Sequence, residues 1–529
     1  MLGALSGLLL HHGLFIKGEW HLQAPTVAVA HLCAFGGIVC LSWMLVRPTH
    51  RFEMAFLLIA SYLTTLTSSI IAYWLFFHRL CGFPGPRLAQ VSKLWHVWKA
   101  RHSRNYLMLQ NLRNQYGDFV RTGPSELTVF HPEVFTAIDG PRSSCIKAEW
   151  YDILHPQMAL VTARDKGTHA SRRHQWNQGL SAKALEQYEA KFRAHIEQLE
   201  AVSEVTDLFY WFGFDAMGDF VFNKSFHMLH SQRWHHIVVL LQRALSLLGP
   251  FSPIPWFIHI AFKLFPRVWL LRDWFEMLAW SELQMRQRMK LPQDPHRVPD
   301  VAHDLMEDAR TNLNHPTWLT GDNILAVVAG SEPTVVVLVG IFCELGRNPT
   351  HAARIYQETR GVDLSDPRTL LRNCSYLEAV ITEALRLYPA LPTGGNRKTA
   401  ADSLVIGGVY IPQFTTIVAP RWNISRREDC FVSTEKFLPE RWLERPEMVR
   451  NKAAYAPFGT GHHSCLGKSL GLDVLRLVRA RLVDKYIIRF PPGENGDQVL
   501  NDMRDQFTSN PGRLRLQFEP RKKIQSGAR

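Results

Sequence analysis

The segment Phe458-Gly-Thr-Gly-His-His-Ser-Cys-Leu-Gly467 constrains this chain more than any other stretch. It sets one cysteine among glycines directly ahead of an apolar helical pattern, Leu470, Val474, Leu477, Val478 and Leu482. A thiol just before a helix N-terminus meets unpaired backbone N–H groups and the positive end of the helix dipole, which favours the thiolate. Cys465 is therefore a candidate iron ligand, weighed against the plainer reading of a buried structural cysteine. Gly461 and Gly467 suit a loop on which a flat macrocycle lies, because glycine removes the Cβ and permits positive φ. A zinc site from His462, His463 and Cys465 is the competing metal reading, although no fourth ligand stands nearby.

The chain's eight cysteines are scattered, without a CxxC pair or a regular framework, so a disulfide-stapled secreted fold is not expected. Sixty Lys and Arg against 47 Asp and Glu give a formal charge of +13. Such an excess suits an anionic membrane surface or an acidic protein partner. Nucleic acid is not expected, because the basic residues are dispersed and no zinc-finger, RNA-recognition or basic-zipper pattern occurs.

Residues 1–80 read as a membrane anchor with two or three hydrophobic segments. Pro25–Val46 and Met54–Phe77 are long and apolar enough to span, and Leu2–Ile16 is a shorter segment interrupted by His11 and His12. Arg79, Arg87, Lys93 and Lys99 follow the second span and favour a cytosolic body. Cys81-Gly-Phe-Pro-Gly-Pro-Arg87 opens a stiff hinge over 81–92, because proline fixes φ and glycine permits a sharp redirection. The body, 93–520, reads as mostly helical, with short strands at Asp118–Arg121, Leu404–Ile411, Lys485–Phe490 and Arg513–Phe518; a basic tail fills 521–529.

Four further patterns carry chemistry. His169 and Arg173 lie four apart on one face of a basic helix. A helix from Thr320 to about Leu345 holds Ala329-Gly-Ser-Glu-Pro-Thr334 at its centre, where Pro333 leaves the Ala329 carbonyl without its helical partner. Glu383 and Arg386, three apart, project from one helix face, and Phe437-Leu-Pro-Glu-Arg-Trp442 follows downstream. Leu391-Pro-Thr-Gly-Gly-Asn-Arg397 reads as a turn entering a strand, and Leu247–Trp269 is rich in aromatics and proline.

Taken together these motifs resemble the cytochrome P-450 superfamily. Phe458, Gly461, Cys465 and Gly467 fall at the positions of its haem-binding signature, with His463 where the family has arginine. Ala329–Thr334 resembles its oxygen-activation segment, with Pro333 at the key threonine position. Glu383, Arg386 and Arg441 resemble its buried structural triad. The resemblance implies the mostly α superfamily fold with a small β region, preceded by N-terminal transmembrane helices, and makes 93–520 a haem-thiolate catalytic domain. It implies haem b with the Cys465 thiolate on iron, held further by Phe458, Gly461, His463, Gly467, His169, Arg173 and Arg397. Thr334, Ser331 and Glu332 become candidates for catalytic proton handling. Electrons would come from NADPH through an NADPH-cytochrome P-450 reductase, and one oxygen atom of O2 would enter an apolar small molecule. The aromatic block would be a substrate entrance dipping into lipid. The multi-span anchor and Gly18-Glu19-Trp20 resemble fungal members of secondary metabolism. An endoplasmic reticulum membrane with the catalytic domain facing the cytosol is then expected.

Two other functions compete: a haem-thiolate isomerase or dehydratase needing no reductase, and a membrane-anchored haem-binding protein without turnover. Product formation without NADPH would mark the first, and absence of substrate-dependent NADPH use the second.

Overall fold

The computed structural model describes residues 1–199, 204–290, 303, 305–306 and 316–521. Apart from Arg521, the basic tail lies outside the described residues. Helix α1 (Leu2–Leu10) runs into a π-helical turn, His11–Phe15, and a loop over 16–23 leads to α2 (Ala24–Leu45) and α3 (Arg51–Ala72). Small residues let α1 settle on α3: a Cβ at Gly3 would meet the Leu58 carbonyl at 2.5 Å, and one at Gly7 the Tyr62 carbonyl at 2.7 Å. α2, and α3 with its flanking turns over Pro48–Phe77, are long and apolar enough to cross a membrane. The Pro-rich segment after the second apolar helix is pinned to the body, because Arg121 N–H donates to the Pro84 carbonyl at 2.7 Å and a Cβ at Gly85 would strike the Arg121 carbonyl.

In the body, β1 (Phe119–Gly123), β2 (Glu126–Val129), β3 (Ile146–Lys147), β4 (Asn396–Lys398) and β7 (Thr416–Val418) form one sheet in the order β1-β2-β7-β4-β3. Only the β2–β7 pairing in that sheet is parallel. The run Leu404–Ile411 divides into β5 (Leu404–Ile406) and β6 (Val409–Ile411), since Gly407 and Gly408 take φ of +55° and +78° and close a tight hairpin. β8 (Tyr486–Arg489) pairs with β11 (Gln517–Pro520), and β9 (Arg504–Gln506) with β10 (Thr508–Asn510). The strand expected at Arg513–Phe518 thus begins later. Leu514 and Leu516 bury their side chains, but the Leu514 carbonyl accepts from Val205 N–H at 2.9 Å instead of from a strand.

The helices that position the site are α4 (Lys166–Gly179), α5 (Val205–Phe222), α6 (Pro255–Leu264), α7 (Pro316–Arg347), α8 (Ser375–Leu387) and α9 (Lys468–Lys485). α7 starts four residues before the expected Thr320 and runs two past Leu345. It is apolar enough to span a membrane, yet Val335, Leu338, Val339, Ile341 and Phe342 are fully buried in the main core. Glycines let its neighbours approach: a Cβ at Gly330 would meet Met217 Cε at 2.4 Å and one at Gly340 the Tyr388 ring at 2.4 Å.

Candidate active site

The Cys465 loop is closed by its own backbone, with Cys465 N–H donating to the Phe458 carbonyl at 2.8 Å. Gly461, at φ +59°, packs so tightly that a Cβ would lie 1.9 Å from the Asp139 carbonyl, so no other residue fits there. Gly467 is the N-cap of α9. The Cys465 side chain is exposed. Loss of water contact pushes its thiol up, and the Gly467 N–H, Arg173 and Lys468 only partly oppose this. The thiolate preference expected from the helix N-terminus alone is therefore outweighed by desolvation, and a cation at sulfur is what would deprotonate it. Among the described residues, His462, His463 and Cys465 do not bring ligand atoms within reach of one ion, which removes the zinc reading.

Basic side chains converge beside this loop. Helical spacing sends His169 and Arg173 to one side of α4 and Arg172 and Trp176 to the other. Arg173 donates to the Ser464 carbonyl at 2.9 Å and the Ser464 hydroxyl at 3.2 Å. His169 Nε2 lies 3.4 Å from His463 Nδ1. Arg172 instead pairs with buried Asp322 of α7 at 2.6 Å, and Trp176 is buried in the core. Arg397 on β4 donates to Asp139 at 2.6 Å and to the Tyr151 hydroxyl at 2.6 Å. Lys147, its partner on β3, is buried and was not singled out by the sequence, because a two-residue strand leaves no periodic signal.

These cations feel one another. Burial, then Arg397 and Arg173, lowers Lys147 to about 7. Burial, then Lys147, Arg173 and Arg397, lowers His169 to about 4, and burial with Arg397 and Lys147 lowers His463 to about 2. Near neutral pH both histidines are neutral, so His463 offers hydrogen bonds and not the charge of an arginine. Asp139 is the carboxylate that Arg397 binds here, and the remaining excess of positive charge fits an anionic group such as a haem propionate.

Glu383 on α8 is fully buried and takes both Arg386 and Arg441. Arg386 donates to it through Nε at 2.9 Å and NH2 at 2.7 Å, and Arg441 through Nε at 3.0 Å. Leu438 N–H (3.0 Å) and Trp442 Nε1 (2.9 Å) complete its shell; Trp442 was not foreseen. The remaining guanidinium N–H groups bind the carbonyls of Ser425, Val432, Ser433, Thr434 and Lys436. This stretch leads to the Cys465 loop, whose approach is held by Arg421 Nε on the Ala456 carbonyl at 3.3 Å.

On α7 the candidate residues part company. Ala329 is exposed, while Pro333 and Thr334 are half-buried, so these three mark its open face; Gly330, also half-buried, meets Met217. Thr334 donates to the Gly330 carbonyl at 3.0 Å. Ser331 is fully buried against α5, where a Cβ on Gly213 would lie 3.3 Å from its Cβ, and its hydroxyl donates to the Val327 carbonyl at 2.6 Å. Glu332 is buried and accepts a hydrogen bond from Thr508 of β10. Burial pushes its carboxyl up to about 7, against the pull of Thr508.

The comparisons with known proteins agree with this geometry. The family model described as Cytochrome P450 matches residues 84–518. The chain is 34% identical to Cytochrome P450 monooxygenase FCK2 of Fusarium pseudograminearum, over 97% of this chain and 96% of that protein. It is 32% identical to Cytochrome P450 monooxygenase notG' of Aspergillus versicolor, over 96% and 95%. Tryprostatin B 6-hydroxylase of Aspergillus fumigatus is 31% identical, over 95% and 93%. A retinoic acid bound cyanobacterial CYP120A1 shares the fold, with a TM-score of 0.62 at 21% identity over 77% of this chain and 93% of that one. With the family model covering most of its length and such relatives matched end to end, the chain belongs to the cytochrome P450 family.

Proposed function

We propose that this P450 monooxygenase holds haem through Cys465 and, from a membrane, oxidises an apolar intermediate of secondary metabolism. The observation that carries the assignment of Cys465 is its loop: an exposed cysteine ahead of the α9 N-terminus, beside a cluster of basic groups with too few carboxylates of its own. Arg173, Arg397, Lys147, His169 and His463 would hold the propionates, and Phe458, Gly461 and Gly467 would shape the loop. Haem held there by Cys465 would supply dioxygen activation, with the cysteine thiolate favouring O–O cleavage.

The chain's own groups then govern protons and water. With proline at 333, no hydroxyl is available at that position, and Thr334 is the hydroxyl nearest the open face of α7. Glu332, pushed to about 7, keeps a proton close to neutral pH and is oriented by Thr508. Ser331, turned toward α5, is left a packing role. Glu383 with Arg386 and Arg441 would hold the stretch that carries the loop.

The redox partner in this reading is an NADPH-cytochrome P-450 reductase, drawn to the basic proximal side. The membrane is the endoplasmic reticulum, with the body in the cytosol and residues 81–92 acting as hinge between anchor and catalytic domain. The substrate class is supported by relatives such as tryprostatin B 6-hydroxylase and notG'. Metabolites of a host with and without the gene, followed by reconstitution with the reductase, test the reading. Oxygenated product that requires NADPH is expected, and product formed without NADPH would replace monooxygenation by isomerisation or dehydration.

A further inference from the structure

The Gly18-Glu19-Trp20 stretch has no part in the oxygenase chemistry, yet its loop lies on the catalytic body. Glu19 accepts from Arg164 NH1 at 2.8 Å and NH2 at 3.0 Å, and from Lys398 Nζ at 2.7 Å. His21 Nε2 lies 2.7 Å from Asp152 Oδ2, which Arg164 NH1 also reaches at 2.6 Å. Lys398 binds Glu149 as well, and Arg164 Nε donates to the Lys147 carbonyl at 3.1 Å. Burial opposes ionisation of Glu19, but the hydrogen bonds from Arg164 and Lys398 prevail and hold its carboxyl below the usual range. These are charge-assisted, partly desolvated bonds between segments far apart in sequence, unlike ordinary surface pairs.

Ligand atoms of Glu19, His21 and Asp152 lie close enough together for one cation. Arg164 and Lys398 already neutralise these carboxylates, so a metal would have to displace two bound cations. The cluster is better described as a tie between anchor and body.

Its surroundings give the tie a consequence. α6, from the aromatic block, packs against α2, and its His259 ring lies 6.1 Å from that of His21. Trp256, Phe257 and Leu264 of α6 remain exposed. Chain direction adds a topology: the loop over 16–23 touches the body and so lies on its side of the bilayer. α2 leaves that side and α3 returns to it, which puts the turn over 46–50 on the opposite side.

We propose that Glu19 and His21 clamp the catalytic body onto its own membrane hairpin, so that α2 becomes a wall of the membrane-facing entrance beside α6. The entrance role rests on the monooxygenase reading; the clamp does not.

Zero-length carbodiimide coupling of the full-length protein in membrane vesicles tests the clamp without any turnover. The expected product is an amide joining Glu19 to Lys398, found by peptide mass spectrometry and lost in Glu19→Gln. A cysteine placed by Thr49→Cys should react with an impermeant maleimide only from the side opposite the body. No coupling in the unmodified chain, or labelling of position 49 from the body's side, would overturn the clamp. The entrance role is tested on haem-replete protein by stopped-flow binding of clotrimazole, an apolar azole that partitions into lipid. Glu19→Gln should slow its association about tenfold, leaving that of small, polar imidazole unchanged. Equal rates for both azoles in both proteins would overturn the entrance role. Coupling in a protein that fails to use NADPH would defeat the monooxygenase reading and leave the clamp standing.

Discussion

Two arginine-rich clusters, one on the stretch that leads to the Cys465 loop and one beside the loop, differ in how fully their charges are answered. Around Glu383, two guanidinium groups share one carboxylate, an indole and a backbone N–H complete its shell, and five carbonyls take the remaining donors. Around His463, the cations Arg173, Arg397 and Lys147 and the ring of His169 face a single carboxylate, Asp139, and burial together with the neighbouring cations lowers the proton affinity of Lys147, His169 and His463. A closed network has nothing left to bind and serves as a lock. An open one retains charge for a ligand, which is how the two can be told apart although both are built from arginine and acid.

Breaking the closed network should have the largest effect. Replacing Arg386 by Leu leaves Glu383 buried beside an incomplete shell and should cost about 3–5 kcal/mol. Denaturant unfolding should show that loss together with loss of haem, and a stable, haem-replete Arg386→Leu protein would refute the lock.

The open cluster should behave differently. Lys147→Met removes one cation from it while keeping an aliphatic stem; the Leu160 carbonyl loses the Nζ donor it holds at 3.0 Å, so unfolding free energy should fall by about 1–2 kcal/mol, less than for Arg386→Leu. Haem transfer to an acceptor apoprotein should show retention weakened by roughly tenfold, about 1.4 kcal/mol. If Lys147→Met unfolded like Arg386→Leu, the distinction between the clusters would fail.

A smaller effect concerns pH. Glu332 has its carboxyl raised from 4.5 to about 7, so the folded state holds a proton that the unfolded chain releases first. Its contribution is fully present below about 4.5 and is lost as pH rises through about 7. Unfolding measured across this window should show stability falling with pH, and Glu332→Gln should flatten that slope. An unchanged slope would show that Glu332 titrates normally.

The smallest expected effects lie on α7. Thr334→Ala should lower the fraction of NADPH consumption that yields product by a few-fold, whereas Ser331→Ala should leave it unchanged. The reverse order would place the functional hydroxyl on the buried face.

What was legible in the sequence follows the same division. The lock could be read because its parts are local: Glu383 and Arg386 sit one helical turn apart, and Arg441 falls in the short Pro-Glu-Arg-Trp stretch. The cysteine loop announced itself through glycines whose necessity the structure explains, Gly461 above all. Lys147 was invisible because β3 has only two residues, and the Glu332–Thr508 contact because it joins groups 176 positions apart. Ser331 was open to better reading: Ala329 and Pro333 share a face at the i, i+4 spacing, and a residue midway between them turns away from it. The split of Leu404–Ile411 was likewise encoded in Gly407-Gly408.

One measurement bears most directly on the central claim, that Cys465 is the thiolate ligand of the iron. It is the reduced carbon monoxide difference spectrum of the full-length protein in membranes, compared with Cys465→Ser and, as a control, Cys81→Ser. The expected result is a thiolate-type Soret band in the unmodified chain and in Cys81→Ser, and its loss in Cys465→Ser. A thiolate-type band that survives in Cys465→Ser would contradict the assignment.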